Sequence, residues 1–239
     1  MSGKATGRGE LVDPVLEGSA GSDYERYLRT EDLLRLQKPP EERAHRDELL
    51  FQVTHQSSEL WLKLAAAEVA EATSRIEHRE VAAATRLLRR ATLAIGYLTD
   101  QLGMLEELSP WEYQEIRKVL GHGSGFDSPG FVALRRLLHP LERAFEAEVA
   151  RAGLDLVELY VEGGRHEQLY QLAEALVSLD AGLQLWRARH HRVVVRVIGD
   201  GVVGTQGTPV EVLGRLVAQV AFPRLWEVRN ELTARSVGG

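Results

Sequence analysis

The sequence predicts an all-α protein with no significant sheet. Three observations carry this: apolar residues recur at three- and four-residue spacing along most of the chain, helix-start signals precede several such stretches, and almost nothing alternates with period two. The one β-branched run, residues 193–197, sits inside a longer helical pattern.

Residues 1–22 are rich in glycine, serine and charge and are expected to form a flexible arm, followed by a single helical domain over 23–236. Helical spacing begins with Asp23, Tyr24, Tyr27 and Leu28, continues through Leu33, Leu34 and Leu36, and stops at Pro39-Pro40. A long amphipathic helix is expected from about Glu42 to Glu77, with Leu49, Leu50, Val53, Leu60, Trp61 and Leu64 as its apolar set. Residues 79–107 predict another. Ser109-Pro110-Trp111-Glu112 reads as a helix start, with a serine cap, proline at the first helical position and an acid in the first turn. That helix should reach about Leu120 and end in the glycine-rich stretch 121–125. A further helix starts near Pro129, and residues 140–182 read as two more, broken near Glu162-Gly163-Gly164. A helix over 183–198, a loop from Gly199 to Pro209 and a last helix to about Ala221 complete the chain.

Composition narrows the chemistry. The 239 residues and a hydrophobic fraction of 44% suffice for a sizeable core. A net charge of −6 gives no global attraction to nucleic acid or to an anionic membrane. The chain has no cysteine, which excludes disulfides, thiolate-bound zinc, iron–sulfur clusters and a cysteine-ligated haem. No apolar run approaches transmembrane length and the first residues have no apolar leader, so a cytoplasmic protein is expected.

Three constellations stand out. Leu183, Trp186, His190, Val194 and Val197 share a helical face, and a histidine within such a stripe is either a satisfied core residue or an axial haem ligand held in a dry wall. Phe51 and His55, four apart, either line a pocket or leave a half-exposed histidine beside a core ring; with Glu59 they lack the third ligand of a metal site. Tyr113 and Arg117, also four apart, can bind a carboxylate under an aromatic ring, or form a surface arginine over a core tyrosine. The segment 204–208 lacks the lysine and preceding strand of a phosphate loop.

The stretches DELLFQVTHQSSELWLKL, SPWEYQEIRKVLGHGSGFDSPGF and LQLWRARHHRVVVRVIG, in that order, closely resemble the tryptophan 2,3-dioxygenase family over roughly residues 24–137 and 182–229. The resemblance implies a haem-binding helical bundle that uses haem b and O2 to oxygenate C2 and C3 of the indole of L-tryptophan or a close derivative. It implies His190 as the axial iron ligand, His55 facing the indole N–H, and Phe51 in the pocket wall. Arg117 then binds the substrate carboxylate with Tyr113 beside it and Leu120 one turn on, and Thr205 contacts the ammonium. Tyr24, Tyr27 and Leu28 match a segment that completes the neighbouring subunit's pocket, which implies a homotetramer or dimer.

The sequence departs from the family pattern in two places. The loop after the haem helix reads Gly-Thr-Gln-Gly-Thr-Pro-Val where the family has Gly-Thr-Gly-Gly-Ser-Ser-Gly, with one residue inserted before the threonine. The region 139–182 is also short. These differences keep two alternatives in view: a monooxygenase of a tryptophan derivative giving a 2-oxindole or hydroxylated product in secondary metabolism, and a catalytically silent haem or tryptophan binder. A helical regulator that binds nucleic acid is disfavoured by the net charge of −6.

Overall fold

The computed structural model describes residues 13–204, 207 and 209–237. The chain forms two compact units, residues 1–43 and 44–239.

In the N-terminal unit, Asp23–Leu28 (α1) and Thr30–Leu34 (α2) are separate helices because Arg29 between them adopts the left-handed conformation, at φ 53°. Ser22 caps α1 by accepting from the Glu25 amide. The Asp23 carboxylate accepts from the Val15 and Leu16 amides at 3.0 and 2.7 Å, and these bonds hold its pKa below the ordinary carboxylate value. Neither helix buries a residue within this unit.

The second unit is built from Glu48–Glu77 (α3), Val81–Asp100 (α4), Leu102–Glu106 (α5), Pro110–Val119 (α6), Pro129–Arg151 (α7), Leu156–Val161 (α8), Glu167–Ile198 (α9), Val210–Val217 (α10) and Pro223–Val237 (α11). Among the described residues there is no strand, only an isolated antiparallel bridge between Val203 and Pro209. The all-α expectation is met. No helix is long and apolar enough to cross a membrane.

α3 packs on α4 and on α7, and α4 packs on α9. Small residues set the α3–α4 approach: Ala65 and Ala72 on one helix, Ala84 and Ala91 on the other, are fully buried between Leu62, Val69, Ile76 and Leu88. Leu134, Leu141 and Phe145 of α7 and Leu172, Leu176 and Leu179 of α9 complete this core. Each such side chain contributes roughly 1.5–3 kcal/mol on leaving water. Gly130 lets α7 enter close to α3, since a Cβ there would stand 2.5 Å from the Leu62 Cβ. Asp180, fully buried in α9, accepts from the Ala221 and Phe222 amides and the Trp226 indole, and so ties down the start of α11.

Several boundaries differ from the sequence expectation. Helix α3 starts at Glu48 rather than Glu42, after a short 3-10 turn over Pro40–Glu42. The stretch expected as one helix over 79–107 is two, with a bend at Gln101. α7 runs through Pro140 to Arg151: Pro140 and Arg136, whose carbonyl loses its partner, are both exposed, while Leu138, Leu141 and Phe145 stay buried. The helix expected over 183–198 is the second half of a 32-residue helix that begins at Glu167. Burial of Leu172, Leu176, Leu179 and Leu183 at helical spacing carries it without interruption. The last expected helix, to about Ala221, is α10 and stops at Val217, and a further helix, α11, that was not expected follows the buried Phe222.

Candidate active site

A second, smaller apolar cluster assembles α5, α6 and the far end of α9. Its buried members are Leu102, Leu105, Leu108, Ile116, Val193 and Val197, with Phe51, Tyr113, Leu120 and Trp186 packed against it. This is where the residues singled out in the sequence converge. On α3, Phe51 and His55 lie one turn apart with ring centroids at 4.0 Å, and Tyr113 of α6 stands 6.0 Å from Phe51. Leu120, at the end of α6, joins the same wall. Burial holds the Tyr113 phenol above its usual pKa, opposed by the charge of Arg117.

His190 lies on α9, stacked almost parallel on Trp186 one turn earlier, at 4.9 Å and 9°. Trp186 also meets Phe131 of α7 at 4.1 Å. Burial pushes the His190 pKa down to about 4, and the nearby imidazoles of His55 and His191 push the same way. The ring is therefore neutral at pH 7 and makes no hydrogen bond to a described residue. His191 faces elsewhere: its Nε2 is 3.5 Å from where a Cβ on Gly214 of α10 would stand.

His55 keeps open surface although it sits deep among protein atoms, and desolvation lowers its pKa against the opposing pull of the Phe51 carbonyl and Glu59. Its Nδ1 lies 2.7 Å from the Phe51 carbonyl oxygen. A carbonyl only accepts, so Nδ1 carries the hydrogen and Nε2 of the neutral ring remains an acceptor. Glu59 is no metal ligand: it accepts from the Ser128 hydroxyl at 2.5 Å and the Gly130 amide at 2.9 Å, holding the start of α7.

Arg117 donates from Nη2 to the Val203 carbonyl at 2.6 Å and borders a recess of about 470 Å³ shared with Asp200, Val202, Pro209 and Glu211. One of five N–H donors is thus used, leaving the others for a carboxylate. Thr205 lies outside the described residues. Tyr24, Tyr27 and Leu28 belong to the N-terminal unit and are exposed there, Tyr24 at 68% and Tyr27 at 79%. Two participants were not singled out from sequence. Trp186 had appeared only as one apolar position on a stripe, and the Val203 carbonyl leaves no sequence signal because every residue has one.

A family model described as tryptophan 2,3-dioxygenase matches residues 12–144. A tryptophan 2,3-dioxygenase of Xanthomonas oryzae pv. oryzae is 34% identical, with 87% of each chain covered. One of Xanthomonas campestris pv. campestris is 33% identical over the same shares, and one of Caulobacter vibrioides is 34% identical over 87% of this chain and 98% of its own. This chain belongs to the tryptophan 2,3-dioxygenase family. The Xanthomonas alignments run over 261 positions, of which 87% of a 239-residue chain can fill only about 208, so these relatives carry some fifty residues that this chain lacks.

Members of the tryptophan 2,3-dioxygenase family depend on haem, and the residues present fit that group. Among the described residues no three of His, Asp and Glu gather to hold a bare ion. A macrocycle that brings four nitrogen ligands needs only one from the protein, and His190 offers a neutral imidazole with no competing hydrogen bond to a described residue. The walls beside it are aromatic and aliphatic, as a porphyrin face requires.

Proposed function

We propose that this protein is a haem-dependent oxygenase that converts L-tryptophan to N-formylkynurenine, placing one oxygen atom on each of the indole carbons C2 and C3 as their bond is cleaved. The observation that carries the reading is that two imidazoles on different helices, His190 on α9 stacked on Trp186 and His55 on α3 stacked on Phe51, are held by rings that pack against one apolar cluster. His190 would hold the haem iron. When bound, the haem supplies the activation of O2 that an indole cannot achieve unaided.

The remaining residues bind and orient. Nε2 of His55, left as an acceptor by the Phe51 carbonyl, receives the indole N–H. That contact sets the angle of the ring and requires no proton transfer. Phe51, Tyr113 and Leu120 pack on the indole and exclude water. Arg117 takes the substrate carboxylate through the donors that Val203 leaves free. Thr205 takes the ammonium group. Tyr24, Tyr27 and Leu28, exposed on a unit whose helices bury nothing within it, complete the pocket of a second copy in a homotetramer or dimer.

The test is the absorption spectrum and product of the haem-loaded protein. A Soret band lost in His190→Ala, together with conversion of tryptophan to a product 32 mass units heavier (the two atoms of O2), is expected. A Soret band unchanged in His190→Ala sinks the ligand assignment, and a gain of one oxygen atom replaces dioxygenation with an oxindole-type or hydroxylating reaction.

A further inference from the structure

Trp186 carries a donor with nothing to receive it. Its indole N–H is sealed from solvent and has no hydrogen-bond partner, a state that native interiors seldom leave standing unless a ligand or a water answers it. The same ring lies flat against His190, with centroids 4.9 Å apart and planes 9° from parallel, and meets Phe131 at 4.1 Å. It packs against both apolar clusters, so it is held between the main core and the site and cannot turn to find an acceptor. His190, for its part, makes no hydrogen bond to a described residue. The ring stacked on its plane is Trp186. Once one imidazole nitrogen is given to a metal, the other must carry hydrogen and becomes a donor as well. Two stacked rings then present two N–H groups with no acceptor among the described residues.

We propose that Trp186 is the positioning residue of the His190 ligand: its face sets the plane of the imidazole, and its N–H is reserved for an acceptor oxygen that enters with the occupied site. That oxygen comes from a carboxylate of the porphyrin or from a bound water. The inference rests on His190 being the axial ligand.

The full-length apoprotein is titrated with haemin, and the iron–histidine stretching band of the ferrous protein is recorded by resonance Raman, for the wild type, Trp186→Phe and Trp186→Leu. Trp186→Phe keeps a flat though smaller ring and removes the N–H; it should shift the iron–histidine band and weaken haemin binding several-fold. Trp186→Leu removes the stack too and should weaken binding about ten- to a hundredfold, the usual cost of losing a ligand's supporting contact. Repeating the titrations with protohaem dimethyl ester separates the sources. A Trp186→Phe penalty that disappears with the ester assigns the oxygen to a porphyrin carboxylate, and one that persists assigns it to water. Far-UV circular dichroism establishes that the variants are folded, and Trp186→Phe carries the test if Trp186→Leu is not. Folded variants with wild-type haemin affinity and an unshifted band overturn the proposal. A wild type without an iron–histidine band, or His190→Ala with undiminished affinity, overturns the ligand assignment instead.

Discussion

On the proposed reading, Arg117 and the two histidines are the side chains that hold substrate and cofactor. Arg117 is half-buried beside the Val203 carbonyl, and on the proposed reading removing it leaves the substrate carboxylate without its fork of donors. Arg117→Ala should cost about 3 kcal/mol of tryptophan binding, measured by calorimetry on the haem-loaded protein; turnover at ordinary substrate concentration would contradict that role. His190 contributes to the acid stability of the apoprotein. Its folded pKa of about 4 lies below the unfolded value of 6.5, so the unfolded chain takes up a proton that the folded chain refuses. Stability contributed above pH 6.5 is therefore lost as pH falls toward 4, with a ceiling of roughly 3 kcal/mol for a shift of that size. His190→Leu should lose less stability than the wild type over this window in apoprotein melts. An identical fall in both would mean that the ring is not confined as described. Arg117, His55 and His190 were legible from sequence because each stands at helical spacing from an aromatic partner and inside a family motif. Trp186 was legible only as an apolar position: what sets it apart is a missing acceptor, which exists in three dimensions and not in a pattern.

At the scale of elements, the site depends on how closely α3 and α7 approach and on the length of α9. Gly130→Ala would push a methyl to 2.5 Å from the Leu62 Cβ, which cannot retreat without moving a helix, and to 2.7 Å from the Glu59 carboxylate, which can swing away only by giving up its bonds to Ser128 and Gly130. The expected cost is about 2 kcal/mol, or roughly 4–8 °C in melting temperature. Gly96→Ala makes the opposite prediction. It sits on the exposed side of α4 with nothing within 4 Å of the new carbon, and should stabilise by about 0.5–1 kcal/mol. Equal effects from the two would refute the packing described for α7. Most helices could be placed from the sequence because their apolar stripes and capping residues are local. The boundaries that differed were those set by tertiary burial. Pro140 reads locally as a stop but lies on the exposed side of α7. The break expected at Glu162-Gly163-Gly164 does separate α8 from α9, and what the pattern missed there is that α9 then runs for 32 residues through the boundary expected at 183.

For the whole molecule, the proposed pocket takes part of its wall from the N-terminal unit of a second copy. If Tyr24 and Tyr27 complete a neighbour's pocket, a chain carrying Arg117→Ala and a chain carrying Tyr24→Ala with Tyr27→Ala should each be inactive alone. Co-expressed, they should recover partial activity, because mixed assemblies contain pockets with both parts intact. No recovery in co-purified mixed assemblies would place the N-terminal unit outside the site. Domain-scale organisation is not written in a local pattern: the division at residue 43 comes from the whole set of contacts within each unit. The central claim is that this shortened chain still cleaves the indole ring with both atoms of O2. Its most direct test is the mass of the product formed by the reduced, haem-loaded protein from L-tryptophan under ¹⁸O2. Incorporation of two labelled atoms in an N-formylkynurenine product is the result expected; one labelled atom, or unchanged tryptophan beside a normal haem spectrum, would contradict it.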